Sequence, residues 1–228
     1  MQGKGKGVRL KYSSITGLIR RLLRMNYEMR INFAKIYDRY AQNRDKRGLA
    51  TWKIQERDHF LALLKEEQKK TLLEIGAGTG RDSKYFKDSG LKVISTDMSF
   101  EMVRLCRKKE LTAFVMDFYN LGFLEESFDA VWALNCLLHA SKKELPEVLK
   151  GIRAMLKPTG LFYMGVYGGT EFEGIWEDDF YRPKRFFSFY SDQRIKEVVV
   201  DFFAILYFKT IPLEKGEPHF QSMILRKK

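Results

Sequence analysis

Cysteine is scarce in this chain of 228 residues. Two thiols, Cys106 and Cys136, make no disulfide framework, and with no secretory segment in view they point to a reduced, cytoplasmic protein. No apolar run approaches the ~20 residues needed to span a bilayer, so a soluble chain is expected. Histidine is almost as rare, at three residues, and no group of His, Cys, Asp and Glu falls at metal-ligand spacing, so no metal is expected. Acid is absent from residues 1–24, where Lys4, Lys6, Arg9, Lys11, Arg20, Arg21 and Arg24 supply more than half of the net charge of +12. What remains is ordinary: 45% hydrophobic and 14% aromatic residues, enough for one α/β domain to bury a core without metal or disulfide.

The chain is organised around Thr71 to Asp82, TLLEIGAGTGRD. An apolar, β-leaning run is followed by Gly76, Gly78 and Gly80 at alternate positions and then by a helix-compatible segment, which reads as strand, glycine turn, helix. Such a loop lets a ligand approach main-chain amides and suits a nucleotide-like cofactor. Arg81 stands where the third glycine of a dinucleotide fingerprint would be, which disfavours NAD, and the lack of a Gly-Lys-Ser/Thr ending excludes a P-loop. Glu74, two residues before the first glycine, would repel a pyrophosphate but accept hydrogen bonds from an ammonium group.

With E-x-G-x-G-x-G after its first strand, the sequence resembles the class I S-adenosylmethionine-dependent methyltransferases of the small-molecule type. The resemblance spans about residues 70 to 167 and rests on four ordered signals. It implies that Glu74, Gly76, Ala77, Gly78 and Gly80 hold S-adenosylmethionine, which leaves as S-adenosylhomocysteine. Asp97, closing the strand Leu91 to Thr96, stands where the family binds both ribose hydroxyls. Asp117-Phe118, after the strand Thr112 to Met116, stands where it binds adenine, with Met98 and Met116 flanking the base or filling core. Leu134, Asn135, Leu138 and His139, around the end of the strand Phe128 to Leu134, fall at the methyl-transfer end. The fold implied is an α/β, Rossmann-like, doubly wound and mostly parallel seven-stranded sheet, with a C-terminal antiparallel hairpin and N-terminal lid helices.

Residues 1–28 read as a basic amphipathic extension and 29–228 as a single methyltransferase domain. Within the extension Ile15, Leu18, Ile19, Leu22 and Leu23 recur at helical spacing between arginines. Three readings stand: contact with an anionic membrane surface or RNA, packing on the domain, or dispensable upstream sequence; the composition also resembles an organellar transit peptide. Packing or dispensability ranks first, which disfavours nucleic acid and membrane as partners. Met29 to Gln42 has a helical pattern carrying YDRYA. The resemblance makes Tyr37 and Tyr40 lid residues, Tyr37 over the cofactor and Tyr40 towards substrate; the residues alone favour simple packing of both rings. Arg44 is a candidate partner for the cofactor's carboxylate, or a bystander on the surface.

Beyond the first strand, strand and helix alternate, as a parallel sheet with right-handed crossovers requires. Ser99 is expected to cap the helix after Asp97. Ser141 to Glu144 reads as a capping box for a helix whose apolar face runs from Leu145 to Leu156, and Lys157-Pro158-Thr159-Gly160 as its stop before the strand Leu161 to Tyr167. Residues 168–191 pack eight aromatics among five acids and three bases without a long period, and read as a substrate lid. Tyr167, Trp176, Tyr181 and Arg185 are substrate candidates with His139, and Asp178, Asp179 and His139 are candidate bases. The alternative is a surface hairpin whose aromatics cover the sheet edge. A helix, Asp192 to Phe202, and two strands, Ala204 to Ile211 and Phe220 to Leu225, close the chain.

The function expected is transfer of a methyl group from S-adenosylmethionine to a nucleophilic atom of a small polar metabolite, by a cytoplasmic monomer or homodimer. Two alternatives stand beside it: an RNA methyltransferase using the basic tail, and a non-enzymatic cofactor-binding or regulatory subunit. Against RNA, no Asn/Asp-Pro-Pro-aromatic motif follows the fourth strand, where Leu134-Asn135-Cys136-Leu137 stands instead.

Overall fold

A computed structural model describes residues 32–213 and 216–228. The basic extension expected over residues 1–28, and the start of the helix expected from Met29, lie outside the described residues. Helix α1 is described over 32–45 and α2 spans Thr51–Glu66. Strand and helix then alternate as β1 (Thr71–Ile75), α3 (Arg81–Asp88), β2 (Lys92–Asp97), α4 (Phe100–Lys108), β3 (Thr112–Val115) and β4 (Phe128–Leu134). A short 3-10 turn, Leu137–His139, leads to α5 (Leu145–Met155) and β5 (Leu156–Gly168). The rest is an antiparallel arm, β6 (Phe172–Ile175) with β7 (Phe186–Phe189), then α6 (Asp192–Val200), β8 (Phe203–Leu213) and β9 (Gly216–Lys227).

The main sheet has the order β3-β2-β1-β4-β5-β9-β8. Its first five strands are parallel and β9 runs antiparallel to both β5 and β8, so the doubly wound architecture expected from the sequence is the one that forms. The winding reverses between β1 and β4. A ligand crevice opens outside the carboxyl ends of strands at such a reversal, which here means between the loop after Ile75 and the turn after Leu134.

Both sheet faces are covered, so the central strands are continuously apolar rather than alternating. Leu72, Trp132, Tyr163 and Ile224 face α2 and α3 through Phe60, Leu64 and Phe86. Leu73, Val131, Phe162 and Leu225 face α5 and α6 through Leu149, Ile152, Ile195 and Val199. Trp132 stacks on Tyr163 with centroids 3.8 Å apart. Each such fully buried side chain stabilises the fold by about 1.5–3 kcal/mol relative to exposure.

Ser99 caps α4 by accepting from the Met102 amide at 3.1 Å. Three boundaries differ from the sequence reading. Ser141 and Glu144 do pair, with Ser141 Oγ donating to Glu144 at 2.8 Å, but in the turn ahead of α5, whose first flanking residue is Glu144 itself. Leu156 belongs to β5 rather than to the helix. The stretch Lys157 to Gly160 is bulged out within the strand, since Phe128 pairs with Leu156 while Ala130 already pairs with Leu161. The terminal strands are longer than expected, and β9 lies inside the sheet between two partners. No helix among the described residues is long and apolar enough to cross a membrane.

A candidate cofactor and acceptor cavity

The three glycines of the loop do two different jobs. Gly76 has φ +68°, and a Cβ there would lie 2.4 Å from the Cβ of Cys136, so its bareness lets the β4 turn come close. Gly80 has φ +79° and packs against α4, where a Cβ would come within 2.7 Å of Leu111 and 2.8 Å of Cys106. Gly78 has φ +54° and a Cβ there would meet nothing within 4 Å; it lines the cavity and leaves it open. That is the space a ligand pressed against the loop requires.

Asp97, at the end of β2, is buried on the other side of this opening. Its carboxylate accepts the Gly78 amide at 2.8 Å and the Ser99 amide at 2.9 Å. Burial pushes its pKa up against the pull of those amides. Ser99 also donates to Asp38 of α1 at 2.5 Å, and the Glu101 amide donates to the same oxygen at 3.0 Å. Asp38, which sequence reasoning missed, thus ties the lid helix to the start of α4.

The cavity measures about 820 Å³ including its open mouth. Ile75, Gly76, Gly78, Asp97 and Met98 line the loop end; Met116, Asp117, Phe118, Tyr119 and Glu144 line one flank; Leu134, Asn135, Cys136, His139, Phe33, Tyr37 and Arg44 line the other. Most of the residues singled out from sequence for the cofactor are therefore brought together. Phe33 was missed although it precedes Tyr37 by one helical turn, a spacing that puts both on one face. Ile75, Cys136, Tyr119 and Glu144 were missed because each reads as core or cap.

Other expected residues lie elsewhere. Glu74 shares the Leu72 face of β1 and is buried against α3, where Ser83 donates to its carboxylate and Ser83 and Ser95 share a hydrogen bond of 2.6 Å. Burial, with the charge of Asp82, holds its carboxyl well above the usual range. Strand alternation thus puts Glu74 outside the cavity lining. Ala77, Gly80 and Leu138 sit behind the lining, packed into the core. Trp176 packs on Phe172 and Phe189 at 5.0 and 5.1 Å in the arm, Asp178 is exposed, and Tyr40 is half-buried and stacks edge-on with Tyr181 at 4.6 Å, outside the cavity lining. Tyr167 packs on Phe220.

At the end away from the loop, α1, the 3-10 turn and the arm meet. His139 Nδ1 lies 2.8 Å from the Phe186 carbonyl and Nε2 lies 2.8 Å from the Tyr37 hydroxyl. Burial, reinforced by the nearby charge of Arg185, pulls the His139 pKa down to about 3, so the ring is neutral. A carbonyl only accepts, so the proton is on Nδ1, and the Tyr37 hydroxyl donates to Nε2. Tyr37 oxygen accepts in turn from Arg185 Nη1 at 2.8 Å, and Arg185 is clamped by Asp179 at 2.7 and 2.9 Å. Arg44 donates to Tyr181 at 2.7 Å and Arg39 to the Arg182 carbonyl at 3.1 Å, adding two further links between lid and arm. Asp179 is therefore held in an ion pair and is no free base, and the Nε2 of His139 is occupied.

Residues 73–164 match a family model described as a methyltransferase domain. Over that stretch the chain is similar to the class I S-adenosylmethionine-dependent methyltransferases. The chain is 27% identical over 144 residues to an uncharacterised methyltransferase of Oceanobacillus iheyensis, covering 62% of this chain and 65% of that one. It is 27% identical over 129 residues to a malonyl-[acyl-carrier protein] O-methyltransferase of Pseudescherichia vulneris, covering 56% and 50%. The matched region spans about half to two thirds of these relatives' length. Among solved structures, the fold is similar to Burkholderia thailandensis 1,6-didemethyltoxoflavin-N1-methyltransferase with bound 1,6-didemethyltoxoflavin and S-adenosylhomocysteine, with TM-score 0.68, 19% identity and coverage of 98% of this chain and 93% of that one.

Proposed function

We propose that this domain moves the methyl group of S-adenosylmethionine to a nucleophilic atom of a small polar metabolite. The carrying observation is that one cavity joins an open glycine loop to a compartment closed over by three lid-to-arm hydrogen bonds. A compartment roofed in this way suits a compact acceptor better than a polymer. The solved Burkholderia thailandensis neighbour, which holds 1,6-didemethyltoxoflavin, supports a small acceptor, whereas the Pseudescherichia vulneris relative is named for malonyl-[acyl-carrier protein].

Asp97 would take the ribose hydroxyls with the lone pairs that Gly78 and Ser99 leave free, as a carboxylate can accept at several sites. Met98, Met116 and Phe118 would hold the adenine between them. Arg44 lines the cavity and has no carboxylate partner among the described residues, so its guanidinium is available for the carboxylate of the cofactor's amino acid. When bound, S-adenosylmethionine supplies an electrophilic methyl carbon on a sulfonium that becomes a neutral thioether. The aromatic faces of Phe33 and Tyr37 exclude water and attract a cation. Holding acceptor and methyl carbon in line supplies roughly 7–11 kcal/mol of the barrier reduction.

The test is incubation of the protein with methyl-labelled S-adenosylmethionine and either dialysed macromolecules or the dialysable fraction of a cell extract. Label should enter the dialysable fraction with S-adenosylhomocysteine formed in step. Label confined to RNA would replace this reading with an RNA methyltransferase, and tight cofactor binding with no label anywhere would replace it with a cofactor-binding subunit.

A further inference from the structure

One buried charge pair has no part in holding the cofactor. Asp179 and Arg185 have side chains only 4% and 12% exposed, and neither lines the cavity. Asp179 spends both oxygens on one partner: Oδ1 accepts Nη2–H at 2.7 Å, while Oδ2 accepts Nε–H and the Arg185 amide, each at 2.9 Å. The guanidinium plane is further fixed over Tyr181, 3.9 Å from its ring centre, and near Phe187 at 4.9 Å. Buried pairs of this kind add little stability over well-packed apolar residues, so the pair is better understood by what it orients.

What it orients is the Tyr37 hydroxyl. A phenolic oxygen has one proton and two lone pairs. Arg185 Nη1–H occupies one lone pair at 2.8 Å, which turns the Tyr37 proton towards His139 Nε2, also at 2.8 Å. His139 cannot rotate to escape, because the Phe186 carbonyl holds its Nδ1–H and the rings of Phe33 and Phe187 each lie 4.8 Å from its own. We infer that Asp179 and Arg185 are positioning residues that aim the Tyr37 proton at His139, leaving the second lone pair of the Tyr37 oxygen to take the proton of a protic acceptor, a hydroxyl or an N–H.

This rests on the methyl-transfer reading and narrows its acceptor. The acceptor atom gives its electron pair to the methyl carbon, and the pair of the broken carbon–sulfur bond stays on sulfur. The acceptor's proton passes to the Tyr37 oxygen as the Tyr37 proton passes to Nε2. The positive charge lost at sulfur thereby reappears on the His139 ring, whose Nδ1–H stays on the Phe186 carbonyl, and leaves to solvent when the lid opens.

Nitrogen-15 spectra of the histidine side chains test the positioning directly, with the His139 signals identified by their loss in His139→Gln. The wild type should show His139 with a protonated Nδ1 and a bare, hydrogen-bonded Nε2. Tyr37→Phe should shift the Nε2 resonance, and Asp179→Asn, which never touches His139, should shift it the same way, with Asp179→Glu restoring part of the wild-type position. If Asp179→Asn fails to fold, Asp179→Asn with Arg185→Gln leaves no unpaired buried charge and should give the same shift. An unmoved Nε2 resonance in these variants, or a protonated Nε2 in the wild type, overturns the inference. S-adenosylhomocysteine titrated into the same samples separates the two claims: wild type that binds it while His139 behaves contrary to expectation sinks only the positioning role, whereas wild type that does not bind it sinks the methyl-transfer reading beneath.

Discussion

At the loop end of the cavity the chain offers backbone and one carboxylate; at the acceptor end it offers interlocked side chains. Gly76, Gly78 and Gly80 shape the first end by what they lack, and Asp97 is steadied by two amides, one from the loop after β1 and one just beyond its own strand β2. The second end has no such local frame. Tyr37, His139, Arg185 and Asp179 come from α1, the 3-10 turn and the arm, and Tyr37 is bonded to partners 102 and 148 positions away. The difference teaches where each end is vulnerable: the first to added bulk, the second to a removed partner.

Removing a partner should therefore have the largest effect. Asp179→Ala leaves the Arg185 guanidinium buried and unpaired, and should cost about 3–5 kcal/mol of stability in urea unfolding. A loss below ~1 kcal/mol would mean that water reaches the pair and that the acceptor end is not locked.

Adding bulk sharpens the contrast within the loop itself. Gly76→Ala places a methyl against Cys136 at a left-handed backbone position and should cost about 2–4 kcal/mol by strain and overpacking together. Gly78→Ala bears only the left-handed strain, about 1–2 kcal/mol, yet should weaken S-adenosylhomocysteine binding more than ~10-fold, because its methyl enters the space left for the ligand. Equal effects of the two substitutions on both stability and binding would erase the distinction between packing glycine and ligand glycine.

The smallest effect is set by pH. The folded His139 pKa, about 3, lies below its unfolded value of 6.5, so the unfolded chain takes up the proton first. This group's contribution is full above pH 6.5 and is lost as the pH falls towards 3. Between pH ~6.5 and ~5.5 the loss should be about 1 kcal/mol and should be missing in His139→Asn, as measured by denaturant midpoints at each pH.

The same contrast explains what was legible in the sequence. The glycine loop, Asp97 and Asp117-Phe118 each end a strand in a contiguous motif, so local pattern placed them at one crevice before any contact was known. Glu74 escaped because a motif does not say which face of a strand its acid takes; alternation with Leu73 and Ile75 puts it beside Ser83. Asp179 was recognisable as an acid in an aromatic-rich segment, but its partner Arg185 becomes evident only once β6 and β7 pair and fold the intervening tip back on itself. Trp176 looked like a substrate aromatic for want of that hairpin, in which it packs inward on Phe172 and Phe189. Long-range pairs such as Arg44 with Tyr181 leave no periodic or local trace at all.

The central claim, that the loop end holds S-adenosylmethionine through Asp97, is tested most directly by calorimetric titration of S-adenosylhomocysteine into the wild type and Asp97→Ala. One-site binding that Asp97→Ala weakens at least ~10-fold, about 1.4 kcal/mol, is the predicted result. Absence of binding to the wild type, or equal affinity in the two proteins, would contradict it.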